Sequence, residues 1–138
     1  MYHEVLQPRW SKVVSIGLPG HWCVGLLLGL VSGALPLVAV QLRDPTVDPF
    51  DYGISYIVWV GSSFGGAFVL TYMRPHRQVV SALSILSGFL AAMILEIVID
   101  YYTARAPHNL WPLTLIFAVL IGAPPVFAGA YVGSRQRR

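Results

Sequence analysis

Four stretches of this chain are long and apolar enough to cross a bilayer, and nothing else in the sequence constrains the fold as much. They run from Gly20 to Leu42, Gly53 to Met73, Val79 to Ile99 and Leu110 to Gly133. A helix needs about 20 mostly apolar residues to span roughly 30 Å of hydrocarbon. The links between them, Arg43 to Tyr52, Arg74 to Gln78 and Asp100 to Asn109, are short and polar, and none can hold a domain. Short links place sequential helices side by side and antiparallel. The expectation is an all-α membrane protein, one domain over residues 1–138, folded as an antiparallel up-down bundle of four transmembrane helices.

Composition agrees. Only 11% of the residues are charged and 56% are hydrophobic, where a soluble domain carries about 25% charged residues. Pro19 suits the start of the first helix, where its missing N–H would have no partner anyway. The polar opening segment and the long first run predict a retained helix rather than a cleaved leader.

Orientation is written in the basic residues. Arg9, Lys12, Arg74, Arg77, Arg135, Arg137 and Arg138 fall on one side of the four runs, and only Arg43 and Arg105 on the other. The richer side is expected in the cytoplasm, so both termini face inward and the protein belongs in a bacterial inner membrane. Asp44, Asp48 and Asp51 then lie outside. Trp10 and Trp22 mark the inner headgroup level, and Tyr52, Tyr56, Tyr101, Tyr102 and Trp111 the outer one. The net charge of +3 is accounted for in this way, and no basic stripe with interleaved aromatics points to nucleic acid.

Small residues recur at spacing four: Gly25, Gly29 and Gly33; Gly61 and Gly65; Ser84, Gly88 and Ala92; Ala118, Gly122, Gly129 and Gly133. Helices in lipid associate through close backbone approach and dispersion, which small residues permit. These positions are read as packing faces, within the bundle or against another copy or another subunit. Pro36, Pro124 and Pro125 lie inside spans and should kink them. The strongest break is expected at Gly122-Ala123-Pro124-Pro125, where the freed carbonyls of Leu120 and Ile121 need partners.

Few residues offer chemistry. Glu96 and Asp100 share a face of the third helix, beside its small-residue stripe, so Glu96 is expected to face protein. It also lies near the outer end of its helix, where a carboxylate can reach the headgroups or pair with Arg43 or Arg105. Ionisable groups within spans are expensive and are functional candidates by default. Glu96, Asp100, Arg105 and His108 therefore form the candidate polar or ion site, although His108-Asn109 also suits a cap on the fourth helix. The histidines show no metal-ligand spacing. Cys23, the single cysteine, reads as a small buried thiol. Gly61-Ser62-Ser63-Phe64-Gly65 has the G-x-S-x-G form, but that motif acts at a strand-to-helix elbow, and here it falls mid-span with no base at its depth. Neither an enzyme nor a cofactor protein is expected, and no soluble substrate is evident.

Two short echoes hint at duplication. Ser32-Gly33 resembles Ser87-Gly88, and Gly66-Ala67 with Tyr72 and Arg74 resembles Gly129-Ala130 with Tyr131 and Arg135. They are too brief to establish a repeat.

The segment Thr103-Ala104-Arg105-Ala106-Pro107-His108-Asn109-Leu110-Trp111-Pro112, followed by Gly122-Ala123-Pro124-Pro125, resembles small uncharacterised bacterial integral membrane proteins of four spans. Those carry a DPTxHNLWPFE-like stretch and an arginine-ended last helix. The resemblance covers the last third of the chain, lacks the DPT and the acidic residue, and implies a four-span fold without implying an activity. In size the chain is similar to fluoride channels and small multidrug transporters. It lacks the mid-first-helix glutamate of the latter and shows no filter motif of the former. The role expected is that of an accessory or structural subunit packed against other membrane-protein subunits and lipid. The alternative is a homo-oligomeric channel or transporter with Glu96 near its path.

Overall fold

The computed structural model describes residues 18–43, 53–103 and 111–136. They form four helices: α1 (Leu18–Arg43), α2 (Gly53–Met73), α3 (Gln78–Thr103) and α4 (Trp111–Arg135). Each is long and apolar enough to cross a membrane. All four expected spans are present, with α3 and α4 extending past their expected last residues.

The tight turn between α2 and α3 follows from its sequence. Arg74 precedes a proline, which disfavours the helical conformation there, and it adopts φ −141°, ψ 75°. Pro75 then opens a single 3-10 turn, Pro75–Arg77, a position where a missing N–H costs little. The Arg74 and Arg77 amides donate to the carbonyls of Thr71 and Arg74, each at 3.0 Å.

Sequential helices touch, as their short links require, but the most extensive contacts are between alternate ones, α1 with α3 and α2 with α4. Glycine explains this choice. A Cβ on Gly29 would run into the carbonyl of Ile85, and one on Gly88 into the carbonyl of Leu26. On α4, a Cβ at Gly129 or Gly133 would strike the carbonyls of Phe64 and Phe68 on α2. Backbones this close gain dispersion contacts that bulkier residues would prevent. Gly25, Gly29 and Gly33 meet Ser84, Ile85 and Phe89 in ascending order, so α1 and α3 run parallel. Gly129 and Gly133 meet Phe64 and Phe68 likewise.

The α1–α3 contact is reciprocal. Gly29 lies against Ile85 and Phe89, and Gly88 lies against Leu26 and Leu30. One relation carries Gly29 to Gly88, Leu26 to Ile85 and Leu30 to Phe89, as across a two-fold axis. The same register pairs Gly25 with Ser84 and Gly33 with Ala92, and both of these pairs touch. In α2 the buried positions are Ser55, Trp59, Ser63, Ala67, Leu70 and Thr71. In α4, Ala118, Gly122, Val126, Ala130, Gly133 and Ser134 are buried at matching spacing, and Gly129 is buried in addition. Gly66-Ala67 and Gly129-Ala130 fall in this register. Ser32-Gly33 and Ser87-Gly88 do not, because the contact aligns Gly88 with Gly29, one turn earlier.

Two apolar clusters fill the interior. Ala67, Leu70, Ala82, Ile85, Val126 and Ala130 pack towards the α2–α3 turn. Leu37, Trp59, Phe89, Met93 and Ala118 pack towards the other end. The Trp59 ring meets Phe89 edge-on at 6.4 Å and Tyr56 at 5.5 Å. Its Nε1 donates to the Gly33 carbonyl at 2.9 Å.

Two expectations are corrected and one is narrowed. Helix α4 is continuous from Trp111 to Arg135 with Pro124 and Pro125 inside it, so the expected break is absent; prolines remove two bonds, and the remaining ladder still holds the helix. Cys23 is exposed, because it lies on the outward side of α1, away from the face that Gly25 and Gly29 press onto α3. Gly61 and Gly65 have open space where a Cβ would stand, so they pack nothing within the chain, whereas the seven other glycines expected at helix contacts, Gly25, Gly29, Gly33, Gly88, Gly122, Gly129 and Gly133, are all crowded by neighbouring helices.

Candidate functional site

Polar side chains gather at the end of the bundle that carries the α2–α3 turn. His21, on the first turns of α1, is only 3% exposed. Its Nε2 lies 2.9 Å from the hydroxyl of Ser81 on α3. That hydroxyl donates to the Arg77 carbonyl at 2.9 Å, so the ring nitrogen facing it is placed by the turn below. One turn along, the Ser84 hydroxyl donates to the Ser81 carbonyl at 3.0 Å. From α4, Ser134 donates to the Gln78 side-chain oxygen at 3.3 Å and to the Tyr131 carbonyl at 2.8 Å. All four helices thus contribute to one polar layer, since Thr71, fully buried, comes from the last turn of α2.

The layer is cationic. Arg74 and Arg77 both stand near enough for their charges to act on His21. Arg135 lies over the Tyr131 ring, 5.1 Å from its centroid, a cation–π contact that fixes its direction. Beside the turn, a cavity of about 480 Å³ is lined by Met73, Arg74, Pro75, His76 and Arg77. Two polar atoms of the layer, Thr71 Oγ1 and Arg77 Nη1, are buried without a hydrogen-bond partner. A buried donor left unpaired costs about 1–3 kcal/mol, more if charged.

The residues singled out from the sequence lie elsewhere. Glu96 is buried, 8% exposed, as its place beside the small-residue stripe required. Asp100 is half-buried one turn further along α3. Arg105 and His108, and the expected cap at Asn109, lie outside the described residues. Ser55 and Ser63 on the inner face of α2 are buried with no hydrogen-bond partner for their hydroxyls. Ser62 donates to the Val58 carbonyl at 2.6 Å, the usual way a hydroxyl is satisfied inside a helix. The G-x-S-x-G stretch therefore sits within uninterrupted α2, without the elbow its chemistry requires.

His21 is not among the residues singled out from the sequence. The available signal was the clustering of hydroxyls, Ser81, Ser84 and Thr71, at the same depth as the histidine and two arginines.

The outer surface offers a second kind of feature. On α2, Gly61 is exposed and Gly65 half-buried, and Ile57, Val60 and Val69 of the same helix are exposed. No family model, no curated protein and no solved structure matches this chain.

Proposed function

We propose that the protein is an accessory or structural subunit that packs against a larger protein complex in a bacterial inner membrane. The observation that carries this reading is the outward placement of Gly61 and Gly65. Seven other glycines are crowded by neighbouring helices within the chain, five of them by backbone atoms, and these two, four residues apart on one helix, stand open. A small-residue face of this kind is what a helix from another protein needs for close approach. The bundle interior is filled by Trp59, Phe89 and Met93, which suits a scaffold more than a conduit through a single copy. The membrane orientation belongs to the same proposal. The helices cross in alternating directions, with the arginine-rich end and both termini in the cytoplasm. The four-span bacterial proteins with an HNLWP-type loop, which this chain resembles, suggest the same setting.

Purification from native membrane in mild detergent tests the reading. The expected result is a partner at fixed stoichiometry that is lost when Gly61 and Gly65 are both changed to leucine. The double variant retains the fold, since leucine at an open helical position gains about 1 kcal/mol of helix propensity over glycine. A chain that emerges alone, or a double variant that keeps its partner, overturns the assignment.

The second reading is a homo-oligomeric channel or transporter, and it draws on Glu96. Ionisable groups buried in membrane spans are costly, and those that face the interior often mark ion or proton pathways. Flux through liposomes containing the protein should fall in Glu96→Gln; equal flux removes Glu96 from any pathway.

A further inference from the structure

We infer that the cationic cavity at the α2–α3 turn binds a phosphate group. Arg77 supplies the principal observation. Its Nη1 is buried and lacks a hydrogen-bond partner, and Arg77 is one of the residues, with Arg74 and His76, that line a cavity of about 480 Å³. A buried guanidinium nitrogen needs an acceptor, and the planar fork of an arginine matches the oxygens of a phosphate. Arg74 and His76 bring further positive character to the same walls. The turn also leads directly into the N-terminus of α3, a helix of 26 residues, whose first amides and dipole favour an anion.

No carboxylate among the described residues stands at this end. Among the described residues the carboxylates are Glu96 and Asp100. At 1.5 Å per residue, Glu96 lies roughly 28 Å along α3 from Arg77. The unpartnered nitrogen of Arg77 calls for an anionic acceptor. Two sources share the required chemistry: the phosphodiester of an anionic lipid, for which basic pockets at helix ends are a known kind of receptor, and a free phosphate.

The test uses the full-length protein, delipidated in mild detergent. Native mass spectrometry with added phosphatidylglycerol or phosphatidylcholine gives the lipid arm. Unfolding temperature against added inorganic phosphate gives the soluble arm. Phosphatidylglycerol is expected to bind at least about tenfold more tightly than phosphatidylcholine, the worth of one charge-assisted hydrogen bond. That preference should disappear in Arg77→Gln, shrink in Arg77→Lys, which keeps charge without the fork, and persist in Arg43→Gln at the opposite end. Stabilisation by inorganic phosphate that also displaces phosphatidylglycerol assigns the site to free phosphate. Lipid selectivity without phosphate stabilisation assigns it to the headgroup. Equal binding of the two lipids with no response to phosphate overturns the inference, as does a preference undiminished in both Arg77 variants. Circular dichroism shows whether Arg77→Gln keeps its helices. If it does not, Arg77→Lys and the comparison of the two lipids still decide.

Discussion

Gly29 and Gly61 are the same residue type in the same bundle, yet the same substitution should act on them in opposite directions. Alanine at Gly29 drives a methyl group into the Ile85 carbonyl, and the α1–α3 pair must part to admit it, at a cost of about 1–3 kcal/mol. Alanine at Gly61 meets open space and gains up to about 1 kcal/mol of helix propensity. Unfolding in mixed detergent micelles measures both; a Gly29→Ala protein as stable as the parent would disprove the close approach. Trp59 is a third case. Phenylalanine there keeps most of the ring packing against Phe89 and loses the bond from Nε1 to the Gly33 carbonyl, so stability should fall by about 1 kcal/mol. The sequence distinguished none of these glycines from one another. Spacing four marks a face, and which face meets a neighbour depends on how the helices are arranged. Cys23 was misplaced for the same reason: every residue of an apolar span looks equally suited to the interior when lipid is as apolar as the core.

At the scale of the helix, the spans were legible and their internal geometry was not. Each hydrophobic run is bounded by charge or proline, so α1 to α4 could be located from composition alone, and the Arg74-Pro75 turn from the rule that a residue before proline leaves the helix. The proline pair in α4 was overread. Pro124 and Pro125 remove amide donors at those positions, and the helix continues through them. Changing both to alanine should therefore preserve the fold and raise stability by about 1–2 kcal/mol, as two backbone bonds are restored to the Leu120 and Ile121 carbonyls. A variant that unfolds more readily would mean that the prolines are required where they stand. The polar layer escaped sequence reading because its members come from four helices; His21 and Ser81 are brought together only by the parallel packing of α1 on α3.

For the molecule as a whole, the distribution of arginines predicts an orientation that reporters can read. A fluorescent protein fused after Arg138 should fluoresce, and alkaline phosphatase at the same place should stay inactive, if the C-terminus is cytoplasmic. The opposite pattern reverses the assignment of every loop. It would also place the proposed phosphate cavity on the outer face, without altering the residues that form it.

The reciprocal contact between α1 and α3 bears on whether the chain needs to be continuous. Its most intimate backbone contacts, Gly29 with Ile85 and Gly88 with Leu26, join one half of the polypeptide to the other, as do those of α4 with α2. Few of the forces that hold the bundle together depend on the Arg74–Pro75 peptide bond. Two shorter genes, one ending at Arg74 and the other starting at Pro75 behind an initiator methionine, should therefore yield fragments that find each other in the bilayer and purify as a pair. Gly88→Leu in the second fragment should abolish that pairing.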